Sequence, residues 1–278
     1  MLNPLRQGFS QRVIAADRCQ VILLRLLALN YGNRLVLKGG MAMRALFGSL
    51  RLTKDVDFER DPSLSNASLE KSLPQTLAAA ALESGLKGAK AGISKHTRTT
   101  IRASLHATEP QSKQEIHFEV EISGRGLPPP NHICRLTVIP PSDYFIAPFS
   151  INAFDSHAMA AAKVAALHSE NRSVPRDIFD LNDLIARQAD PCDLMANADS
   201  EWLKSLQRKA IDKASIVGWD RANEELFPYL PPAVAQSLAR DQWGELCLEV
   251  ATQVDAWVEQ ALKIAAKNSA QKQSGKKP

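Results

Sequence analysis

The chain has 278 residues, 45% of them apolar and 23% charged, with 34 Lys and Arg against 30 Asp and Glu. This balance excludes a disordered polyelectrolyte and fits one generous globular domain or two modest ones. The positive surplus is local: Lys263, Lys267, Lys272, Lys276 and Lys277 close the sequence without an acid among them, and the rest carries a net charge of about −1, so composition implies no wide nucleic-acid surface.

In chain order, MLNPLRQGFSQR lacks the apolar core of a leader peptide, which makes the cytoplasm the expected compartment. A helical pattern runs from Ser10 to Tyr31; its apolar run VILLRLLAL is far too short to span a bilayer and contains Arg25, so a core helix and no membrane partner are expected. RLVLK (34–38) reads as a short strand ending at Gly39 and Gly40, and MAMRALF (41–47) as a helix stopped by Gly48. DVDFE (55–59) alternates like a strand with one face buried, and an Ala- and Leu-rich helix follows over 66–84. RTTIRASLHA (98–107) and EIHFEVEIS (115–123), joined by EPQSKQ, form an expected antiparallel hairpin, with CRLTVIP (134–140) as one more strand. From Ser156 onward the strand signal gives way to amphipathic helices. The expected division is a core with its N-terminal helix over 1–145, a helical domain over 146–267 and a disordered basic tail over 268–278.

Two short motifs carry chemistry. On a strand, Asp55 and Asp57 point to one face while Val56 and Phe58 point to the other, so two carboxylates stand side by side. Such a pair is a ligand set for Mg²⁺, which takes one or two carboxylates together with waters and substrate phosphates; a solvated acidic edge strand is the alternative. Lys38-Gly39-Gly40 ends a strand and opens a helix, where glycines let backbone N–H groups approach a phosphate at the positive end of the helix dipole; a plain structural turn is the alternative. Close in sequence, the two motifs make a coherent nucleotide site. A third carboxylate from the hairpin is then expected, and Glu119 and Glu121 share the strand face with His117, so alternation does not choose between them.

KGGMAMRALFGSLRLTKDVDFE resembles the nucleotidyltransferase core of the AbiEii-type toxins through Lys38, Gly39, Gly40, Arg44, Arg51, Thr53, Asp55, Asp57 and Phe58. A second segment, AAAKVAALHSENRSVPRDIFDLNDLI (160–185), is similar to that family's later motif through Lys163, Ala166, Leu167, Arg172, Arg176, Asp177, Asp180 and Leu181. The resemblance implies an α+β fold: a polymerase-β-like nucleotidyltransferase mixed sheet with flanking helices, followed by a helical bundle. It implies transfer of a nucleotide from an NTP in the presence of Mg²⁺, with Mn²⁺ as a substitute, to a hydroxyl of an RNA acceptor, tRNA foremost. Within a type IV toxin/antitoxin system it also implies a cognate antitoxin. Carried over residue by residue, Asp55, Asp57 and Glu121 hold the metal, and Lys38, Gly39, Gly40, Arg44, Thr53, Lys163 and Arg176 contact the nucleotide. Lys163 and Asp177 count with the three carboxylates as catalytic. Glu121 is preferred to Glu119 because Glu121-Ile122-Ser123 aligns better with the family's strand.

Competing patterns find little support. No HExxH, GxSxG or P-loop motif is present, and the four cysteines form no CxxC pair and read as reduced packing residues. Trp202, Trp219, Trp243 and Trp257 lie in helical segments, where core packing explains them. The rival functions are a catalytically silent binder of RNA or a partner on the same scaffold, and a transferase acting on a small molecule or a protein side chain.

Overall fold

The structure, a computed structural model, describes residues 1–169 and 175–274. Arg172, matched in the second motif, lies outside the described residues. The chain divides into two compact units, one of Met1–Phe154 with Tyr229–Pro232 and one of Asp155–Pro228 with Ala233–Pro278.

The first unit is built on a seven-stranded mixed sheet. Its elements are α1 (Gln11–Tyr31), β1 (Leu35–Lys38), α2 (Gly39–Leu46), β2 (Asp55–Arg60), α3 (Asn66–Glu83), β3 (Lys87–His96), β4 (Thr100–Thr108), β5 (Glu115–Ser123), β6 (Ile133–Val138) and β7 (Phe149–Phe154). The strand order is β3-β4-β5-β2-β1-β7-β6. β2 runs antiparallel to β1 and parallel to β5, so the strand carrying the two aspartates is central; this removes the edge-strand alternative. One sheet face is apolar, with Ile101, Ala103, Leu105, Phe118, Val120, Ile122, Val56 and Phe58 all buried. Helix α3 packs over β3 and β4, and α1 packs against β5 and α3. Hydroxyl caps fix where these helices start: Ser10 accepts from the Val13 N–H at 3.5 Å and Ser65 from the Ser68 N–H at 3.2 Å.

Two strands escape the sequence reading. β3, KGAKAGISKH, carries Gly88 and Gly92 and exposes most of its residues as a sheet edge, so it has no clean alternation to detect. β7, FSINAF, pairs parallel with β1, so the sheet continues to Phe154 rather than ending at the expected boundary of 145.

The second unit is helical: α4 (Ser156–Leu167), α5 (Pro175–Ala186), α6 (Cys192–Met195), α7 (Ser200–Ile216), α8 (Trp219–Glu225), most of α9 (Pro232–Ser237) and α10 (Arg240–Ser274). Asp155 caps α4 through the Ala158 N–H at 2.8 Å, and Asp199 caps α7 through the Glu201 and Trp202 N–H groups. Helix α10 packs against α5, α6 and α7. It extends to Ser274, where a disordered tail is expected from 268; Ala265, Ala266 and the following lysines and glutamines are good helix formers. Residues 275–278 lie outside the described residues.

Candidate active site

Strand register assembles the polar face of the sheet. Residues directly opposite on neighbouring strands share a face. One row across β3, β4, β5, β2 and β1 therefore reads Lys95, Arg102, Glu121, Asp57, Lys38. The next row reads Gly92, Ser104, Glu119, Asp55, and beyond it lie Lys90, His106 and His117. The two histidine rings stack with centroids 4.2 Å apart. Four carboxylates, Asp55, Asp57, Glu119 and Glu121, thus occupy adjacent positions on two parallel strands, each half-buried.

Gly39 and Gly40 close this face at the start of α2. Gly39 has φ +68°, and a Cβ there would lie 2.5 Å from the Asp57 Oδ2. A Cβ on Gly40 would lie 2.7 Å from the Arg51 Nη2 and 2.8 Å from the Thr53 Oγ1. The two glycines let the first turn of α2 approach Asp57 and the segment that leads into β2, and this places the helix N-terminus beside the aspartate strand. Thr53 orients that segment: its hydroxyl donates to the Asp55 carbonyl at 3.0 Å and accepts from the Asp55 N–H at 3.4 Å.

Arg102 is the side chain that the sequence reading missed. Its Nε and Nη2 donate to the Glu121 Oε2 at 3.1 and 2.5 Å, and its Nη1 donates to the Glu119 Oε2 at 3.2 Å. Burial works against the ionised Glu121 carboxyl, but the Arg102 bond and charge, with Arg125 and Lys95 nearby, outweigh it and hold the group below the usual carboxylate range. The bond to Glu121 in turn raises the Arg102 pKa. Alternation within RASLHA puts Arg102, Ser104 and His106 on the polar face, and that was the available signal.

Lys38, expected at the nucleotide, donates to the Glu59 Oε2 at 2.6 Å. Glu59 is 2% exposed and also accepts from the Ser123 hydroxyl and the Gly126 N–H. Arg44, expected as a nucleotide contact, is fully buried and donates to the Leu2 carbonyl at 2.7 Å and to both carboxylate oxygens of Asp17 at 3.3 and 3.1 Å. The Tyr144 hydroxyl also donates to Asp17, at 2.7 Å, and burial together with that carboxylate raises the phenol pKa. Arg44 therefore ties α2 to α1.

In the second unit, the Lys163 ammonium on α4 lies 2.6 Å from the Asp177 Oδ1 and 2.6 Å from the Asp180 Oδ2 on α5. All three side chains are buried, so the ammonium expected to face a triphosphate is enclosed by two carboxylates. Arg176, next to Asp177, is half-buried.

Among the described residues, no three His, Cys, Asp or Glu side chains converge closely enough to hold a metal ion as they stand. The chemistry of the sheet face nevertheless fits one: its donors are carboxylate oxygens on adjacent strands, the set that hard divalent cations take. No helix among the described residues is long and apolar enough to cross a membrane.

The same fold is found in a candidate nucleotidyltransferase from H. pylori, 18% identical over 93% of this chain and 98% of that one, with a TM-score of 0.50. JHP933 from Helicobacter pylori is 18% identical over 97% of this chain and 100% of its own, with a TM-score of 0.48. No curated protein matches the chain. The seven-stranded α+β architecture is thus shared with that H. pylori structure. The family described as "Nucleotidyl transferase AbiEii toxin, Type IV TA system" matches residues 21–260, and the chain belongs to it.

Proposed function

We propose that this chain transfers a nucleotide from an NTP to an acceptor hydroxyl, with tRNA as the acceptor, and that the modified tRNA blocks translation and arrests growth until a cognate antitoxin intervenes. The observation that carries the reading is Asp55 and Asp57 on a central strand, in register with Glu119 and Glu121 and flanked by the Gly39 turn. Asp55, Asp57 and Glu121 would hold Mg²⁺, or Mn²⁺ in its place. Bound there, the cation supplies charge neutralisation for the phosphates.

The protein's own part is placement. The N–H groups that open α2 face the nucleotide phosphates, with Gly39 keeping the approach clear of a side chain. Glu121 orients the acceptor hydroxyl and takes its proton as the oxygen attacks the α-phosphorus. The bond from the α-phosphorus to the bridging oxygen breaks in line, and pyrophosphate leaves with that electron pair. Roles at the nucleotide for Lys163, Arg176 and Asp177 belong to the same proposal and rest on the motif resemblance alone.

The test is label transfer from each NTP to purified tRNA with Mg²⁺ present. Asp55→Asn and Asp57→Asn are expected to lower the rate at least about 100-fold, as loss of a group that stabilises developing charge does. Transfer that persists unchanged in both variants would sink the assignment, and so would growth arrest that survives Asp57→Asn.

A further inference from the structure

Four carboxylates on adjacent strands repel one another, and like charges set directly opposite destabilise a sheet. Arg102 answers that repulsion from the next strand with a guanidinium that grips Glu121 through two nitrogens and Glu119 through a third. The Oε2 of each glutamate is therefore already engaged by a fixed positive charge, and a cation that takes Glu121 through this oxygen meets Arg102 first. Arg102 and its two partners are each between 22% and 33% exposed, open enough to exchange partners without unfolding the strands.

We propose that Arg102 is a built-in counter-ion of the carboxylate face, a positioning residue that a divalent cation must displace from Glu121 before it binds. The inference rests on the reading of that face as a metal site. It assigns Arg102 two effects: it keeps Glu119 and Glu121 in register while no cation is bound, and it sets a threshold for cation binding. A weakly held cation fails to displace a guanidinium held by three charge-assisted hydrogen bonds, whereas a divalent cation carrying an NTP brings its own phosphates as an alternative partner for Arg102. Binding of the bare cation is thereby penalised relative to binding of the cation with its nucleotide.

Mn²⁺ binding to the full chain without nucleotide, followed by electron paramagnetic resonance of the free ion, tests this. Arg102→Gln is expected to bind Mn²⁺ at least about 5-fold more tightly than the unaltered protein, and the gain should vanish in Arg102→Gln/Asp57→Asn. Arg102→Lys keeps the charge but loses the fork, so it should fall between the two. A merely structural arginine would leave Mn²⁺ affinity unchanged or weaken it on removal; either result overturns the inference while Mn²⁺ binding that needs Asp57 leaves the metal reading standing. Mn²⁺ binding insensitive to Asp57→Asn in every background would overturn the metal reading, and the inference with it. Circular dichroism of each variant guards against a binding change caused by lost structure.

Discussion

On the sheet, Arg102 meets Glu119 and Glu121 with side chains 33%, 27% and 22% exposed; between α4 and α5, Lys163 meets Asp177 and Asp180 with side chains 6%, 4% and 0% exposed. Both clusters set one cation against two carboxylates on neighbouring elements. Their difference lies in water. Half-solvated ions can lose a partner and recover part of the lost energy by hydration, so that cluster can rearrange around a ligand. The enclosed trio has less recourse to water, because removing one member takes a close counter-charge from groups held in a low-dielectric interior. The first arrangement suits a site that exchanges ions, and the second suits a fixed joint between two helices.

The sharpest way to break this contrast is Lys163→Met. It takes the ammonium from two buried carboxylates at nearly constant volume and should destabilise the chain by about 3–5 kcal/mol, read from urea unfolding of the helical unit. A loss below about 1 kcal/mol would mean that the trio relaxes as freely as the sheet cluster.

Gly39→Ala should have the next largest effect, because it combines backbone strain at φ +68° with a Cβ 2.5 Å from the Asp57 carboxylate. We expect a stability loss of about 1–3 kcal/mol and a fall in nucleotide transfer well beyond what stability explains. Gly48→Ala is the control: its φ is +64°, yet a Cβ there meets nothing within 4 Å, so it should cost similar strain and leave transfer unaffected. Equal transfer by the two variants would show that closeness to Asp57 is irrelevant.

The smallest effect concerns pH. The Glu121 carboxyl is held below its ordinary range in the folded state, so its pairing stabilises the fold above the unfolded carboxylate pKa of about 4.3 and is lost as pH falls through the lower folded value. Arg102→Gln should therefore lower stability by about 1 kcal/mol or less at pH 6, and the difference should shrink below about pH 4. Urea midpoints at the two pH values check it; a difference that grows on acidification would contradict the sign.

The two motifs and the strand–turn–helix–strand order were legible in the sequence because each is local: alternation fixes which side Asp55 and Asp57 share, and a glycine pair between a strand and a helix marks a close approach. The hairpin of β4 and β5 was legible for the same reason. Partner choice across the sheet was not. Nothing near Arg44 in sequence shows that it is buried against Asp17, or that Lys38 reaches Glu59, since an arginine or lysine beside a motif reads alike in a core joint and in a binding contact. β3 was hidden by its glycines and its exposure. The parallel pairing of β7 with β1 brings together residues more than a hundred positions apart, and no periodicity reports that.

The late return of Tyr229–Pro232 to the sheet unit bears on how the chain may be cut. The Tyr229 carbonyl accepts from the Leu52 N–H at 2.7 Å, next to Arg51 and Thr53, which fill the space left by Gly40. A fragment ending at Phe154 would contain every strand and both aspartates, yet would leave that N–H without its acceptor just ahead of β2. Excision of the sheet as a stand-alone piece thus removes a brace that the linear order assigns to the other half, and a faithful minimal fragment has to carry a graft of those four residues.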